Sequence, residues 1–280
     1  MRLLVLLLTL IGLGFSIPVI LIEKEITTKS NFHESHRKVK LYMAEGYEKE
    51  VWEEKTITKG SPLGQLPFMQ NLMKNAPRQE PQSQVSKGEK ITHFKKGKAV
   101  VYFIYPDKKA YSRQELQGRM LIMGFMMLLD CDQRGRCKPK MEPTNERKKI
   151  GRWKARKVIV RVNMMGREVP AYYWFTKDSK LLMEADRISM KNILKVIEDD
   201  PKVSPFLRGA KEAFEEIKKK YGSVVMSETP VMGSTTVEVV RSVKRVNVPK
   251  SFFKVPKGYS ESSPQMPMMP PKNHGGYRQR

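Results

Sequence analysis

The sequence predicts an α+β fold, a curved antiparallel sheet carrying helices on one face, and three observations predict it. Residues 151–185, GRWKARKVIVRVNMMGREVPAYYWFTKDSKLLMEA, read as three consecutive strands joined by two short turns. Turn-forming tetrapeptides recur along the chain at the short intervals that antiparallel hairpins require. Two regions, 114–130 and 189–221, change to a helical period. Strands, helix, strands, helices and strands in that order, with short connections, make an antiparallel sheet with its helices segregated to one face.

Within 151–185, Val158, Val160 and Val162 share one face and Lys157 and Arg161 the other, the period of a strand with one covered side. From Val169 to Thr176 both faces carry large apolar groups, Ala171, Tyr173 and Phe175 against Pro170, Tyr172 and Trp174. Such a strand needs cover on both sides, or lines a cavity. Earlier in the chain, Val39, Leu41 and Met43 alternate with Lys40 and Tyr42, and 50–59 follows as a partner after a turn at Gly46. Strands at 91–94 and 99–105 are joined by Lys95-Lys96-Gly97-Lys98, and Pro106-Asp107-Lys108-Lys109 leads into 110–113. Residues 114–130 are apolar nearly all round a helix, which calls for a buried core or lid helix. Ser189 to Asn192 reads as a cap for a helix over 193–197. Pro205 to Tyr221 forms an amphipathic helix with Phe206, Leu207, Ala210, Ala213, Phe214 and Ile217 along one stripe and Lys211, Lys218, Lys219 and Lys220 outside. Strands return at 223–227 and 235–246.

The ends and interruptions set the domain limits. Residues 1–16 combine Arg2, an apolar run and small residues at Gly14 and Ser16, which is the pattern of a secretory signal; an uncleaved anchor in the inner membrane is the alternative, since the apolar run reaches Ile22. Residues 17–37 read as a polar surface segment, 38–259 as one domain with an insertion at 60–90, and 260–280 as a disordered Pro/Met-rich tail. Export to the periplasm predicts that the two cysteines, Cys131 and Cys137, form a small disulfide loop. His33 and His36 lack further ligands nearby, so no metal site and no cofactor is expected.

The runs KGKAVVYFIYPDKKAY and GRWKARKVIVRVNMMGREVPAYYWFTKDSKLLMEA, with the closing FKVPKGY, resemble the LolA/LolB lipoprotein-carrier superfamily, in its uncharacterised bacterial periplasmic branch. The resemblance covers about 38–259. It implies an unclosed half-barrel with helices covering the concave face and a cavity for acyl chains between them. The insertion, the disulfide loop and the Met/Pro tail are additions to that pattern, so the fold transfers more readily than the lipoprotein substrate.

The function expected is therefore a non-catalytic, exported lipid- or lipoprotein-binding protein, a carrier or envelope sensor. Candidate cavity residues are Val101, Phe103, Met120, Met123, Phe125, Met126, Tyr173 and Phe175, for any one of which ordinary core is the more common use. The net charge of +24 attracts anionic membrane surfaces, acidic envelope proteins or nucleic acid, and a solvated, lysine-rich surface also has it. Export disfavours nucleic acid. The alternatives are a basic nucleic-acid-binding protein, with aromatics interleaved as in Trp153-Lys154-Ala155-Arg156-Lys157, or copper handling through Met266, Met268, Met269 and His274. The sequence contains no G-x-S-x-G, P-loop or metal-ligand constellation, and no enzyme is expected.

Overall fold

In a computed structural model of the chain, the residues described are 16–58, 82–118, 129–132, 134–164, 167–198, 204–231 and 233–262. They form an α+β fold built on one open sheet. Its strands in chain order are β1 (Ser16–Ser30), β2 (His33–Ala44), β3 (Tyr47–Thr58), β4 (Gln82–Lys95), β5 (Lys98–Tyr105) and β6 (Ala110–Gln117), then β9 (Met141–Ile150), β10 (Trp153–Met164), β11 (Arg167–Thr176), β12 (Ser223–Val231), β13 (Ser234–Pro249) and β14 (Ser260–Glu261). The order across the sheet is β14-β6-β5-β4-β3-β2-β1-β13-β12-β11-β10-β9, and the pairs are antiparallel except β14 with β6. A separate hairpin, β7 (Leu129–Cys131) and β8 (Cys137–Pro139), places Cys131 directly opposite Cys137 with the sulfurs at disulfide distance, 2.11 Å. Two helices complete the fold, α1 (Lys180–Ile197) and α2 (Ser204–Lys220).

Several expectations are corrected. The segment 17–37 is no polar surface stretch: it supplies β1 and the start of β2, and β1 sits mid-sheet between β13 and β2. Val19, Ile20, Leu21 and Ile22, which continue the apolar leader in sequence, are all buried. Because neighbours along a strand point to opposite faces, four buried residues in a row mean that β1 is covered on both. The third strand expected at 180–185 is the first turns of α1. Ser179 caps it, its hydroxyl accepting from the Leu182 N–H at 3.2 Å, and Leu182, Ala185, Val196 and Ile197 fall on its buried side. Ser189 to Asn192 is thus mid-helix rather than a cap. Of the insertion at 60–90, residues 82–90 belong to β4, whose ladder with β3 runs from Thr58↔Gln82 to Tyr47↔His93; 59–81 lie outside the described residues. Residues 114–117 end β6 instead of opening a helix, and 129–131 are strand, while 119–128 lie outside the described residues. The tail begins in order, with Ser260 and Glu261 paired to Ala110 and Tyr111. Residues 1–15 and 263–280, which carry the signal and the copper readings, are also outside.

Helix α1 packs on part of one face of the sheet. Leu182 and Ala185 pack with Ile20, Ile22, Met43 and Val225, and Val196 and Ile197 with Phe94 and Ala99. Helix α2 lays Ala210, Ala213 and Ile217 on Val158 and Phe175, with Leu129 of the small hairpin. The opposite face is crossed by the segment after β13, where the buried Phe253 packs with Val19, Ala44, Ile91 and Ile104. The Phe253 carbonyl accepts from His93 Nε2 at 2.6 Å, and Tyr42 and Tyr47 meet Phe252 and Phe253 with centroids 4.7 and 5.4 Å apart.

A single buried side chain pins α1 to the β2–β3 turn. Asn192 accepts from the Gly46 N–H at 2.6 Å and donates to the Ala44 carbonyl at 3.0 Å. Asn192→Leu leaves both backbone groups unpaired, and a loss of roughly 3 kcal/mol is expected by chemical denaturation. Lys191→Ala, which removes only an exposed pair with Glu45, should change stability by less than about 0.5 kcal/mol. Equal effects of the two substitutions would contradict the pinning role.

Candidate functional site

Directly opposed residues of an antiparallel ladder share a face, so the register assigns the side chains. Val101↔Thr92↔Glu48↔Met43↔Ile20 runs across β5, β4, β3, β2 and β1 on the side of α1. Phe103, Lys90, Glu50, Leu41 and Ile22 form the next row, and Gly88, Trp52, Val39 and Lys24 the one beyond. On the far strands, Ile26↔Glu238↔Ser227↔Tyr173 continues the same face. This helix-side face is apolar at Val39, Leu41, Trp52, Phe103 and Tyr173. It is charged at Lys24, Glu48, Glu50, Lys90 and Glu238.

Four of these charges form two partly buried pairs. Lys24 Nζ lies 2.8 Å from Glu238, with the lysine side chain 23% exposed, and Lys90 Nζ lies 2.6 Å from Glu50. Burial alone would pull the Lys24 ammonium down; the attraction of Glu238 and its hydrogen bond, with Glu48 and Glu50 nearby, outweighs it and holds the group above its ordinary value. Burial pushes the Glu48 carboxyl up, opposed by Lys90 and Lys24 and reinforced by Glu50. Lys24, both desolvated and partly open, borders space that the described residues do not fill. Beside it, a cleft of 140 Å³ separates α1 from the sheet, lined by Ile22, Leu182, Asp186, Val225 and Val240. Trp52 lies flat across Gly88, where a Cβ would come within 2.4 Å of the indole, and Arg37 covers its ring at 5.5 Å.

Of the eight cavity residues expected from sequence, Met120, Met123, Phe125 and Met126 lie outside the described residues. Val101 and Phe103 on β5 and Tyr173 and Phe175 on β11 share the helix-side face but are separated by six strands. Val101 and Phe175 are buried, the latter within the α2 cluster, whereas Phe103 and Tyr173 are half-buried. The ionic pairs and Trp52 were not anticipated. Their signal is faint, because Lys24 and Glu238 meet only through the β1–β13 pairing.

A larger cavity, 610 Å³, opens mainly on the opposite face, among Glu23, Glu25, Lys38, Lys40, Glu53 and Arg241. Its charges largely neutralise one another, with Arg241 on Glu25 at 2.6 Å and Lys87 on Glu53 at 3.3 Å, which leaves a solvated ionic ladder rather than an apolar site. Among the described residues no group of His, Cys, Asp and Glu could hold a metal, and His33 and His36 instead bond Ser30 at 2.9 Å and Glu34 at 3.1 Å. Among them, too, no helix is long and apolar enough to cross a membrane.

An uncharacterised protein of Aquifex aeolicus (strain VF5) is 31% identical to this chain over 170 residues, 58% of this chain and 63% of the relative. The chain therefore spans less than two thirds of that relative's length. No family model matches the chain, and no solved structure matches it.

The pKa directions make a prediction. A carboxyl whose folded pKa lies above its unfolded value of about 4.3 stabilises the fold below that value and loses the contribution as pH rises through the folded one. Glu48→Gln keeps the shape without the charge, so its Tm is expected to exceed that of the natural protein at pH 7 and to lose that advantage below about pH 4. A Tm difference independent of pH would show that Glu48 does not carry this titration.

Proposed function

We propose that this chain is a non-catalytic binding protein, active in the periplasm after export, that holds the acyl chains of a lipid or lipoprotein between the concave, helix-side face of its sheet and the helices. The observation that carries this reading is a partly apolar face that the described residues leave partly open. Leu41, Trp52, Phe103 and Tyr173 stay half-buried on it while Lys24 and Glu48 among them are desolvated. Apolar walls hold a chain by burial at about 0.8 kcal/mol per methylene, so a twelve-carbon chain gains on the order of 9 kcal/mol before the costs of association. The Lys24–Glu238 and Lys90–Glu50 pairs offer donors and acceptors to the ester or amide at the chain's head. The resemblance to the LolA/LolB superfamily points the same way, with Met120, Met123, Phe125 and Met126 as the candidates to complete the wall.

Native mass spectrometry of the purified full-length protein is expected to show one or more co-purifying acyl-bearing species. Phe103→Glu, which replaces an apolar wall residue with a second carboxylate opposite Lys90, should weaken binding of a fluorescent fatty-acyl probe at least tenfold, about 1.4 kcal/mol or more. Lys40→Glu, an exposed change on the opposite face, should leave it unchanged. A folded Phe103→Glu protein that binds the probe as the natural one does would exclude this face as the site.

A further inference from the structure

A second concavity, of 470 Å³, lies where the β9–β10–β11 end of the sheet meets the end of α2. Strand β9 gives it Arg147 and Lys149, β10 gives Lys154 and Arg156, the turn after β11 gives Lys177, and α2 ends in Lys220. Lys148 borders it through its place on β9, but its ammonium turns to the other face of the sheet, 6.0 Å from the Trp174 ring. Asp178 is the one carboxylate on the wall, and it accepts from the Lys154 backbone N–H at 3.2 Å. Phe175 and Tyr221, centroids 5.7 Å apart, give it an apolar side that strengthens electrostatic attraction.

The register makes this arrangement costly when empty. Arg147 stands directly opposite Arg156, and Lys149 directly opposite Lys154. Like charges facing each other across a ladder are destabilising. Glu146, next to Arg147 in the chain, pairs with Lys157 at 2.8 Å, and Arg156 gives only its Nε, to the Thr144 carbonyl at 2.8 Å. Among the described residues Arg147, Lys149 and Lys177 have no carboxylate partner. The carboxyl end of α2 opposes an anion with only about half a charge, small beside six cations.

We propose that this concavity binds a phosphate group, carried by a phospholipid headgroup at a membrane surface or by a free phosphorylated molecule. Two arginines supply planar, two-pronged donors and the lysines supply point charges, the combination that phosphate oxygens accept. The inference stands apart from what the helix-side face holds, since an acyl-free protein would keep the same cations.

The test uses the full chain, phosphatidylglycerol vesicles, phosphatidylcholine vesicles and inorganic pyrophosphate, with the double variant R147E/K149E. That variant places a carboxylate opposite Arg156 and another opposite Lys154, so its Tm is expected to rise while phosphate binding falls at least tenfold; loss of binding through misfolding would lower Tm instead. The exposed Lys211→Glu should bind as the natural protein does. Binding to phosphatidylglycerol but not phosphatidylcholine vesicles, lost in the double variant, supports a headgroup as the source. Binding of pyrophosphate alone, lost in the same variant, supports a free phosphate. Phosphate binding unaltered in R147E/K149E, a lowered Tm, or no binding to either phosphate source overturns the proposal, as does a DNA duplex that binds more tightly than both.

Discussion

The fold rests on a constraint visible in four residues: Val19, Ile20, Leu21 and Ile22 are buried in succession on a strand, so the sheet must be covered on both sides at once. Helix α1 answers for Ile20 and Ile22, and the segment around Phe253 for Val19. Each cover is fastened by hydrogen bonds as well as packing, α1 through Asn192 to the β2–β3 turn and the strap through His93 to the Phe253 carbonyl. The strap then adds β14 to the start of β6, occupying that edge at Ala110 and Tyr111. Thus residues 250–262 belong to the architecture as much as any strand.

Away from those covers the helix-side face changes character. Where α1 leaves it, charged residues stand between half-buried apolar ones, and Lys24–Glu238 and Lys90–Glu50 neutralise each other across neighbouring strands. Paired charges in such a place add little to stability compared with apolar residues of the same volume. Their presence is therefore better explained by what the face contacts than by how it folds. The basic concavity beyond α2 differs in kind, because its like charges are set opposite each other and are left without partners. One face pairs its ions and the other site withholds them, which is why they are assigned to different ligands.

The hairpins were legible because their signals are local. Gly46, Gly97 and Pro106-Asp107 sit at the turns where the chain reverses between β2 and β3, β4 and β5, and β5 and β6. The failures were of two kinds. Lys180 to Ala185 is too short to show its period, and its helix is declared by the Ser179 cap and by Leu182 and Ala185 recurring toward Val196. The polar stretch from Glu23 to Lys38 hides two strands, because its charges are satisfied across the sheet: Glu25 by Arg241, Lys24 by Glu238, Arg37 by Glu54. Period-2 reading looks for apolar residues and misses strands held by cross-strand ions. For the site, sequence set Phe103 and Tyr173 together; they share a face of the sheet, but six strands lie between them.

The central claim is that the helix-side face of the sheet contacts an acyl chain. Photo-crosslinking of the full-length protein with a diazirine-bearing fatty acid, followed by peptide mapping, tests it most directly. The account predicts labelled peptides containing Leu41, Trp52 and Phe103, suppressed by excess unlabelled fatty acid. Labelling confined to the opposite face, around Lys38 and Lys40 or the Phe252–Phe253 strap, or labelling that excess ligand leaves unchanged, would contradict it.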